Sequence, residues 1–279
     1  MFRDVTFGQY YPKNSFVHKM DARIKLVLCL VFMVGIFFVQ SYVGFGLVTV
    51  FLLITILSAK VPLGSVLKSV KGILVFLLLT ASLNVFFTKS GNVLVSWWVI
   101  TITDEGLIFA SKMVLRLIYL IVGSSVLTLT TTPVDLTHAM ERLLSPLKVI
   151  KFPVHDLALI MSLTLSFIPS LIEETDRIIR AQKARGADFD TGNLFKRAKA
   201  FVPILIPLLV GGFRRAEELA NAMNSRCYEG ATNRTQMRVM KLSWRDLVGA
   251  LITVATFTAV ILAFAMRGSW EQLIPWMYF

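Results

Sequence analysis

Long uncharged apolar stretches alternate with short charged segments along this chain. The first stretch, Leu26–Ala59, is about 34 residues long, which is too long for one membrane span and fits a tight helical hairpin. The composition agrees, since 56% of the residues are hydrophobic and only 16% are charged. The pattern therefore predicts an all-α, polytopic helical membrane protein. The later apolar stretches are Gly72–Thr88, Leu117–Val134, Leu157–Ile172, Ala200–Phe213 and Leu247–Met266.

The distribution of Lys and Arg orients the predicted spans. The amino-terminal segment and Lys60–Lys71 are basic, whereas Gln40–Gly46 between them carries no charge. Because loops with excess positive charge stay in the cytoplasm, we place the amino terminus inside the cell membrane and the carboxyl terminus outside. This orientation gives about five spans, namely Ile24–Gln40, Phe45–Ala59, Lys71–Thr88, Gly106–Thr130 and Leu247–Met266.

The sequence changes character between residues 131 and 243. Apolar stretches there reach only about 14 to 16 residues, which is marginal for a span, and they alternate with charged, helix-favouring segments. We expect about three long cytoplasmic or interfacial helices, the second near His155–Arg185 and the third near Asn193–Tyr228. In the alternative, Leu157–Ile172 and Ala200–Phe213 are true spans, which makes seven. The chain then divides into residues 1–23 (cytoplasmic segment), 24–130 (four spans), 131–243 (the long helices) and 244–279 (the final span and outer tail).

Two cations, Lys112 and Arg116, fall within the predicted fourth span. A charge at that depth is costly unless its side chain reaches the headgroups or faces a protein interior. We expect one of these two arrangements here.

The formal net charge of +12 has two explanations. Nucleic-acid binding is one of them, and the excess of Lys and Arg in the cytoplasmic loops of membrane proteins is the other. The position of the charges between apolar stretches favours the second. Cys29 lies in an apolar span and Cys227 in a basic polar segment, so the sequence suggests neither a disulfide nor a metal site.

Residues able to perform chemistry are sparse. None of the three histidines belongs to a metal-ligand pattern, and the chain has no Gly-rich loop of the kind that binds ATP phosphates. The one acidic group, Glu173, Glu174 and Asp176, is accompanied by Arg177 and Arg180, which indicates a solvated, ion-paired helix face. We expect no catalytic residue, no metal and no cofactor.

Two short segments resemble each other in composition and context. Ala181-Gln-Lys-Ala-Arg-Gly-Ala-Asp188 and Asn221-Ala-Met-Asn-Ser-Arg-Cys-Tyr228 each place a small residue and an arginine near the end of a predicted helix. The two arginines, Arg185 and Arg226, are 41 positions apart. A single arginine at a helix end commonly interacts with the helix dipole and lipid headgroups. Two copies in parallel contexts favour a device for docking onto a soluble partner.

These paired motifs resemble the transmembrane T subunit of energy-coupling factor (ECF) transporters. The segment Gly8–Leu26 is similar to that family's opening pattern, Gly-x-Tyr…Ser-x-Leu-His-x-Leu-Asp-Pro-Arg-x-Lys-Leu. The resemblance covers nearly the whole chain. Ala22 departs from the family's usual proline, and Cys227 stands where the second motif often has glycine, which loosens the expected helix ending. The shared positions are Gly8, Ser15, His18, Asp21, Arg23 and Lys25.

The resemblance implies a non-catalytic scaffold between two ABC-type ATPases and a small membrane protein that captures the substrate, a vitamin or other micronutrient. Arg185 and Arg226 would each insert into a groove on one ATPase and pair with acidic side chains, for which the forked guanidinium is suited. The small neighbours would permit close approach. The implied coupling motifs are Ala184, Arg185, Gly186 and Ser225, Arg226, Cys227.

The apolar parts of the second and third long helices are the implied contacts to the capture subunit. The residues are Leu157, Ile160, Met161, Leu165, Ile204 and Leu208. Two other classes stay open. One is a stand-alone secondary transporter, and the other is a membrane-embedded enzyme with a polar site near Asp176–Asp190. The sequence does not identify the cargo.

Overall fold

A computed structural model of the chain describes residues 10–87, 93–97, 100–150, 152–187, 194–230 and 242–265. They form two compact units. The first, called the bundle here, comprises residues 10–139 and 242–265. The second, called the helix-pair unit, comprises the described residues from 140 to 230. Each unit is built from helices, which confirms the predicted all-α class.

The helices of the bundle are α1 Ala22–Gly35, α2 Tyr42–Ala59, α3 Leu63–Gly72, α4 Leu74–Phe87, α5 Asp104–Thr130 and α9 Trp244–Ala265. The bundle also contains most of α6 Pro133–Leu143, whose residues from 140 onward belong to the helix-pair unit. Local chemistry sets several of their ends. The side chains of Asp21, Ser41 and Thr103 accept hydrogen bonds from the first turns of α1, α2 and α5. Helix α2 ends at Lys60, which adopts a left-handed conformation with φ 53°.

Four helices of the bundle are arranged in a ring: α1, α2, α5 and α9. Helix α1 contacts α5 and α9, and so does α2. A buried apolar core fills the half of the ring at the α1–α2 connection, where Phe45, Ile36, Val39 and Val48 are fully enclosed. The ring is thus held by side-chain packing in this half.

Glycines allow close approach between the ring helices at two points. A Cβ atom on Gly35 of α1 would lie 2.1 Å from the ring of Phe257 on α9. A Cβ atom on Gly123 of α5 would lie 2.5 Å from the ring of Phe32 on α1. Each glycine therefore makes room for an aromatic side chain of a neighbouring helix.

The segment before α1 is anchored to the ends of α5 and α9. The amide of Tyr11 donates to the Leu129 carbonyl at 3.0 Å, and the amide of Asp21 donates to the buried Asp246 carboxylate at 2.7 Å. The Lys25 ammonium donates to the Thr130 carbonyl at 3.0 Å, close to the C-terminal end of the α5 helix dipole. These contacts give structural roles to shared positions of the opening pattern.

His18 belongs to the same anchored segment. Its Nε2 donates to the Tyr11 carbonyl at 2.9 Å, which leaves Nδ1 to accept from the Ser15 hydroxyl at 2.7 Å. Burial lowers the pKa of His18 below its usual value. The ring therefore acts as a neutral connector that closes the turn before α1.

The link between α4 and α5 contains the only strands in the described part of the chain, β1 Val93–Trp97 and β2 Ile100–Thr103, which pair antiparallel. The sequence pattern did not predict these strands. Trp98, Trp270 and Trp276, which the sequence pattern places at the outer membrane–water interface, lie outside the described residues.

Four described helices are long and apolar enough to cross a membrane, and α3 with α4, bent by 56°, would make a fifth. Three of these, α2, α5 and α9, match predicted spans, and the bent pair includes residues 71–87 of the predicted Lys71–Thr88. Two assignments differ. Helix α1 has only 14 residues, or about 21 Å, before a 3₁₀ turn at Ile36–Phe38. The fourth qualifying helix is Val154–Ala184, which contains one extra span of the seven-span alternative.

Lys112 and Arg116 of α5 face protein, one of the two arrangements expected. Arg116 donates to the Val39 carbonyl at 3.0 Å and lies over the ring of Phe37. The Lys112 ammonium lies 5.0 Å from the ring centre of Tyr42. Both cations meet the α1–α2 connection, so its carbonyl and aromatic groups compensate their charge inside the bundle.

Candidate functional site

The two arginine motifs lie in the helix-pair unit, which is built from α7 Val154–Ala184 and α8 Leu194–Ser225. Both helices match the predicted second and third long helices closely. Helix α7 is continuous although Pro169 lies within it, and α8 is continuous through Pro203 and Pro207.

Helix α7 ends in a Schellman motif built around Arg185. The amide of Ala187 donates to the Gln182 carbonyl at 3.0 Å, and the amide of Gly186 donates to the Lys183 carbonyl at 3.0 Å. Gly186 adopts the left-handed conformation that this ending requires, with φ 86°. Arg185 is the residue at which the helix stops.

Helix α8 ends in the same way around Arg226. The amide of Tyr228 donates to the Met223 carbonyl at 3.1 Å, and that of Cys227 donates to the Asn224 carbonyl at 2.9 Å. Cys227 takes the left-handed position with φ 56°. Cys227 departs from the family's glycine but makes the same backbone turn, so the Schellman ending is still formed. The cost is conformational strain at a residue that carries a Cβ atom.

All six predicted motif residues are exposed. They are Ala184, Arg185, Gly186, Ser225, Arg226 and Cys227. The Ser225 hydroxyl donates back to the Asn221 carbonyl at 2.8 Å, so it completes the last turn of α8. Each motif thus presents an exposed arginine on a helix end that is capped by backbone hydrogen bonds.

Helices α7 and α8 pack against each other through an ion pair. Arg215 of α8 donates to the Glu174 carboxylate of α7 at 3.2 Å and to the Ser170 hydroxyl. Sequence reasoning assigned Glu174 to a solvated face paired within α7. The structure pairs it across the helices instead, at a side chain that is 37% exposed. An interhelical partner 41 positions away could not be read from local spacing.

A second contact joins the C-terminal end of α7 to the N-terminal half of α8. Gln182 of α7 donates through Nε2 to the Pro203 carbonyl of α8 at 3.5 Å. In a regular helix that carbonyl would accept from residue 207, but Pro207 has no N–H. Gln182 therefore supplies a donor that the α8 backbone lacks.

These contacts define the direction of the pair. Gln182 lies near Pro203, and Glu174 lies near Arg215, so the two helices are antiparallel. Their C-terminal ends consequently point to opposite ends of the pair. From Pro203 to Arg226, α8 continues for roughly 35 Å. The two arginines are therefore presented at separate places.

The predicted contacts to a capture subunit are only partly on the surface. Leu157 and Ile160 are 39% and 62% exposed, and Met161, Leu165 and Leu208 are half-buried. Ile204 is 5% exposed, so its predicted direct contact conflicts with its burial.

The exposed apolar residues of α8 recur at helical spacing, on the face of the helix opposite Ile204. Because Ala200–Phe213 is apolar all round, its sequence does not reveal which side is covered. Only the structure distinguishes the two faces. This surface, called the α8 stripe, consists of Val202, Leu205, Ile206, Leu209, Val210 and Phe213.

Comparison with known proteins identifies the family. The family model for the cobalt transport protein CbiQ matches residues 13–239. An energy-coupling factor transporter transmembrane protein EcfT from Ruminiclostridium cellulolyticum is 49% identical and covers 94% of this chain and 98% of its own length. The EcfT of Clostridium kluyveri is 47% identical with the same coverage, and that of Staphylococcus aureus is 42% identical over 94% of this chain and 97% of its own.

The region matched by the family model contains the anchored segment before α1 from residue 13 onward, both helix-pair helices and both arginine motifs. The similarity and the apolar helices together indicate a multi-pass protein of the cell membrane with a role in transport. This chain therefore belongs to the EcfT family, the transmembrane proteins of energy-coupling factor transporters.

Proposed function

We propose that this chain couples ATP hydrolysis in partner subunits to substrate uptake, as the transmembrane scaffold of an ECF-type importer. Two ABC-type ATPases would bind the arginine motifs, and a small membrane subunit would capture a vitamin or other micronutrient. The chain itself would hydrolyse nothing. The observation that carries this proposal is the repeated Schellman ending with an exposed arginine, present at opposite ends of one antiparallel helix pair.

The arginines suit a protein groove lined with carboxylates. Arg185 and Arg226 stay charged at any physiological pH and can donate two parallel hydrogen bonds to one carboxylate. Their exposed small neighbours, Ala184 and Ser225, leave space for a partner surface close to the backbone. Two separate docking points correspond to two ATPase subunits, whose relative motion would then act on the two ends of the helix pair.

The α8 stripe is the surface proposed for the capture subunit, together with exposed Leu157 and Ile160 of α7. Large apolar side chains such as Phe213, which is 73% exposed, gain free energy when a partner covers them. Movement of the anchored helix ends would shift this apolar surface against the capture subunit. The motion of the ATPases would thereby reach the substrate site.

Charge reversal at both arginines tests the proposal. In the Arg185→Glu, Arg226→Glu double variant we expect co-purification of ATPase subunits from native membranes to fall at least tenfold, because each glutamate would repel the groove carboxylates. The measurement is quantitative mass spectrometry of the complex purified in mild detergent, together with uptake in cells.

The control is Arg177→Glu with Arg214→Glu. It makes the same charge change at exposed positions of the same two helices, away from their ends. Wild-type levels of ATPase with this control and loss with the motif variant would support docking through the helix ends. Normal uptake by the motif variant would reject the proposed role, and uptake by the purified chain alone in liposomes would favour a secondary transporter.

A further inference from the structure

A cavity of about 140 Å³ lies in the half of the bundle away from the α1–α2 connection, beside a second group of buried apolar side chains that includes Ile56, Val126 and Leu129. It lies among α1, α2, α5 and α9, at the end where α1 and α9 begin. Phe16, Val17 and Met20 of the anchored segment cover this end. The stacked rings of Phe32 and Phe51, with centres 5.9 Å apart, mark the boundary with the packed core.

The wall of the cavity is mainly apolar. Leu28, Val126 and Leu127 contribute hydrocarbon from α1 and α5. Lys25 is the charged residue in the wall, and its ammonium already has three protein acceptors, the carbonyls of His18 and Thr130 and the Thr131 hydroxyl. A wall that is mainly apolar favours an apolar ligand over water. The cavity therefore selects hydrocarbon.

The cavity is open on one side. Ile54 of α2 and Ile252 of α9 line it, yet they are 50% and 41% exposed. These helices are membrane-span candidates, so exposed apolar side chains at this height face lipid. A partner helix, about 10 Å in diameter, is too wide to enter such a cavity. From Lys25 to Phe32 the wall extends by about 10 Å along α1. The volume of the cavity leaves room for no more than one hydrocarbon chain.

We propose that this cavity binds one acyl chain of a membrane phospholipid, taken from the leaflet around the beginnings of α1 and α9. Only the terminal segment of the chain fits this volume and depth; it enters between α2 and α9 and ends near the Phe32–Phe51 pair. The bound chain completes the core of the ring and supports the cover formed by Phe16, Val17 and Met20.

The test uses the full-length chain in nanodiscs of palmitoyl-oleoyl phosphatidylglycerol and phosphatidylethanolamine, released into mild detergent for native mass spectrometry. Cys29 lines the cavity, so Cys29→Phe fills it. The matched control is Val31→Phe, which places the same ring on the exposed side of α1, at a residue that is 44% exposed. We expect wild type and Val31→Phe to retain one phospholipid per chain. The fraction of Cys29→Phe with a bound phospholipid should be at least tenfold lower.

A second variant keeps the test decisive if Cys29→Phe misfolds. Thr55→Leu fills the cavity from α2 and is expected to release the lipid as well. In wild type, a phospholipid with a diazirine at the end of its acyl chain should crosslink to wall residues such as Leu127. Crosslinks confined to outward residues such as Leu30 and Val50 would overturn the proposal. So would equal lipid retention by all variants, a wild type without bound lipid, or a retained mass that matches detergent or free fatty acid.

Discussion

At the residue scale, the two arginine motifs carry different residues directly after the arginine, yet the backbone adopts the same left-handed conformation at both. Gly186 and Cys227 both adopt positive φ, at 86° and 56°. Glycine does so without strain, whereas a residue with a Cβ atom is destabilised there by about 1 kcal/mol. The α8 ending is therefore formed at a cost that the α7 ending does not have. Its capping hydrogen bonds should open more readily.

Cys227→Gly removes this strain. We expect amide hydrogen exchange at residues 227 and 228 to slow about fivefold, which corresponds to about 1 kcal/mol. The measurement is hydrogen exchange with mass spectrometry on the full chain in detergent, at peptide resolution around the end of α8. Cys227→Ala keeps the Cβ atom and should exchange as wild type does. Equal slowing in both variants would show that the thiol, and not the backbone conformation, weakens the ending.

At the element scale, the bundle depends on glycines facing aromatic rings. Gly35 of α1 lies against Phe257 of α9, and Gly123 of α5 lies against Phe32. Phe32 also meets Phe257 edge-on with ring centres 6.2 Å apart, so the three helices converge on one aromatic group. Adding a methyl group at either glycine must displace a ring from this packed core.

Gly35→Ala tests this packing. Its Cβ atom would lie 2.1 Å from Phe257, so we expect a loss of about 1–3 kcal/mol of stability and a lower melting temperature of the full chain in detergent. Gly46→Ala is the matched control, because Gly46 is helical in α2 and nothing lies within 4 Å of the added atom. It should leave the melting temperature unchanged or raise it slightly. Phe257→Leu should restore part of the loss in Gly35→Ala, and an absence of any rescue would contradict the proposed contact.

At the scale of the whole molecule, the antiparallel helix pair limits the possible topologies. Helix α7 is long and apolar enough to span a membrane. If α7 and α8 both crossed the bilayer, Arg185 and Arg226 would lie on opposite sides of it, since the two helix ends point in opposite directions. Docking of both motifs to cytoplasmic ATPases therefore requires the helix pair to lie along the membrane surface. The five-span interpretation and the proposed function stand or fall together on this point.

Cysteine labelling distinguishes the two topologies. Native Cys227 reports on the α8 end in a Cys29→Ser background, and Ala184→Cys reports on the α7 end when both native cysteines are replaced by serine. We expect a membrane-impermeant maleimide to label both sites in inside-out vesicles and neither in right-side-out vesicles. Gln40→Cys, in the exposed α1–α2 connection, should show the opposite pattern. Labelling of the two motif sites from opposite sides would refute the interfacial placement.

Much of the fold could be predicted from local signals. The limits of α7 and α8 follow from charge, small residues and turn residues near Arg185 and Arg226, and these act within a few positions of each helix end. The exposed α8 stripe could not be predicted, because an apolar segment has no polar face to reveal its orientation. For the same reason the sequence could not show that Ile204 is buried.

The sequence by itself determined the membrane class, the limits of the long helices and the repeated arginine motifs, because hydropathy and helix endings depend on neighbouring residues. Tertiary structure alone decided the contacts between distant positions. These include the Arg215–Glu174 pair, the anchoring of Asp21 on Asp246 and the cavity inside the ring. They depend on which faces of separate helices meet, and the packing of side chains in three dimensions selects those faces.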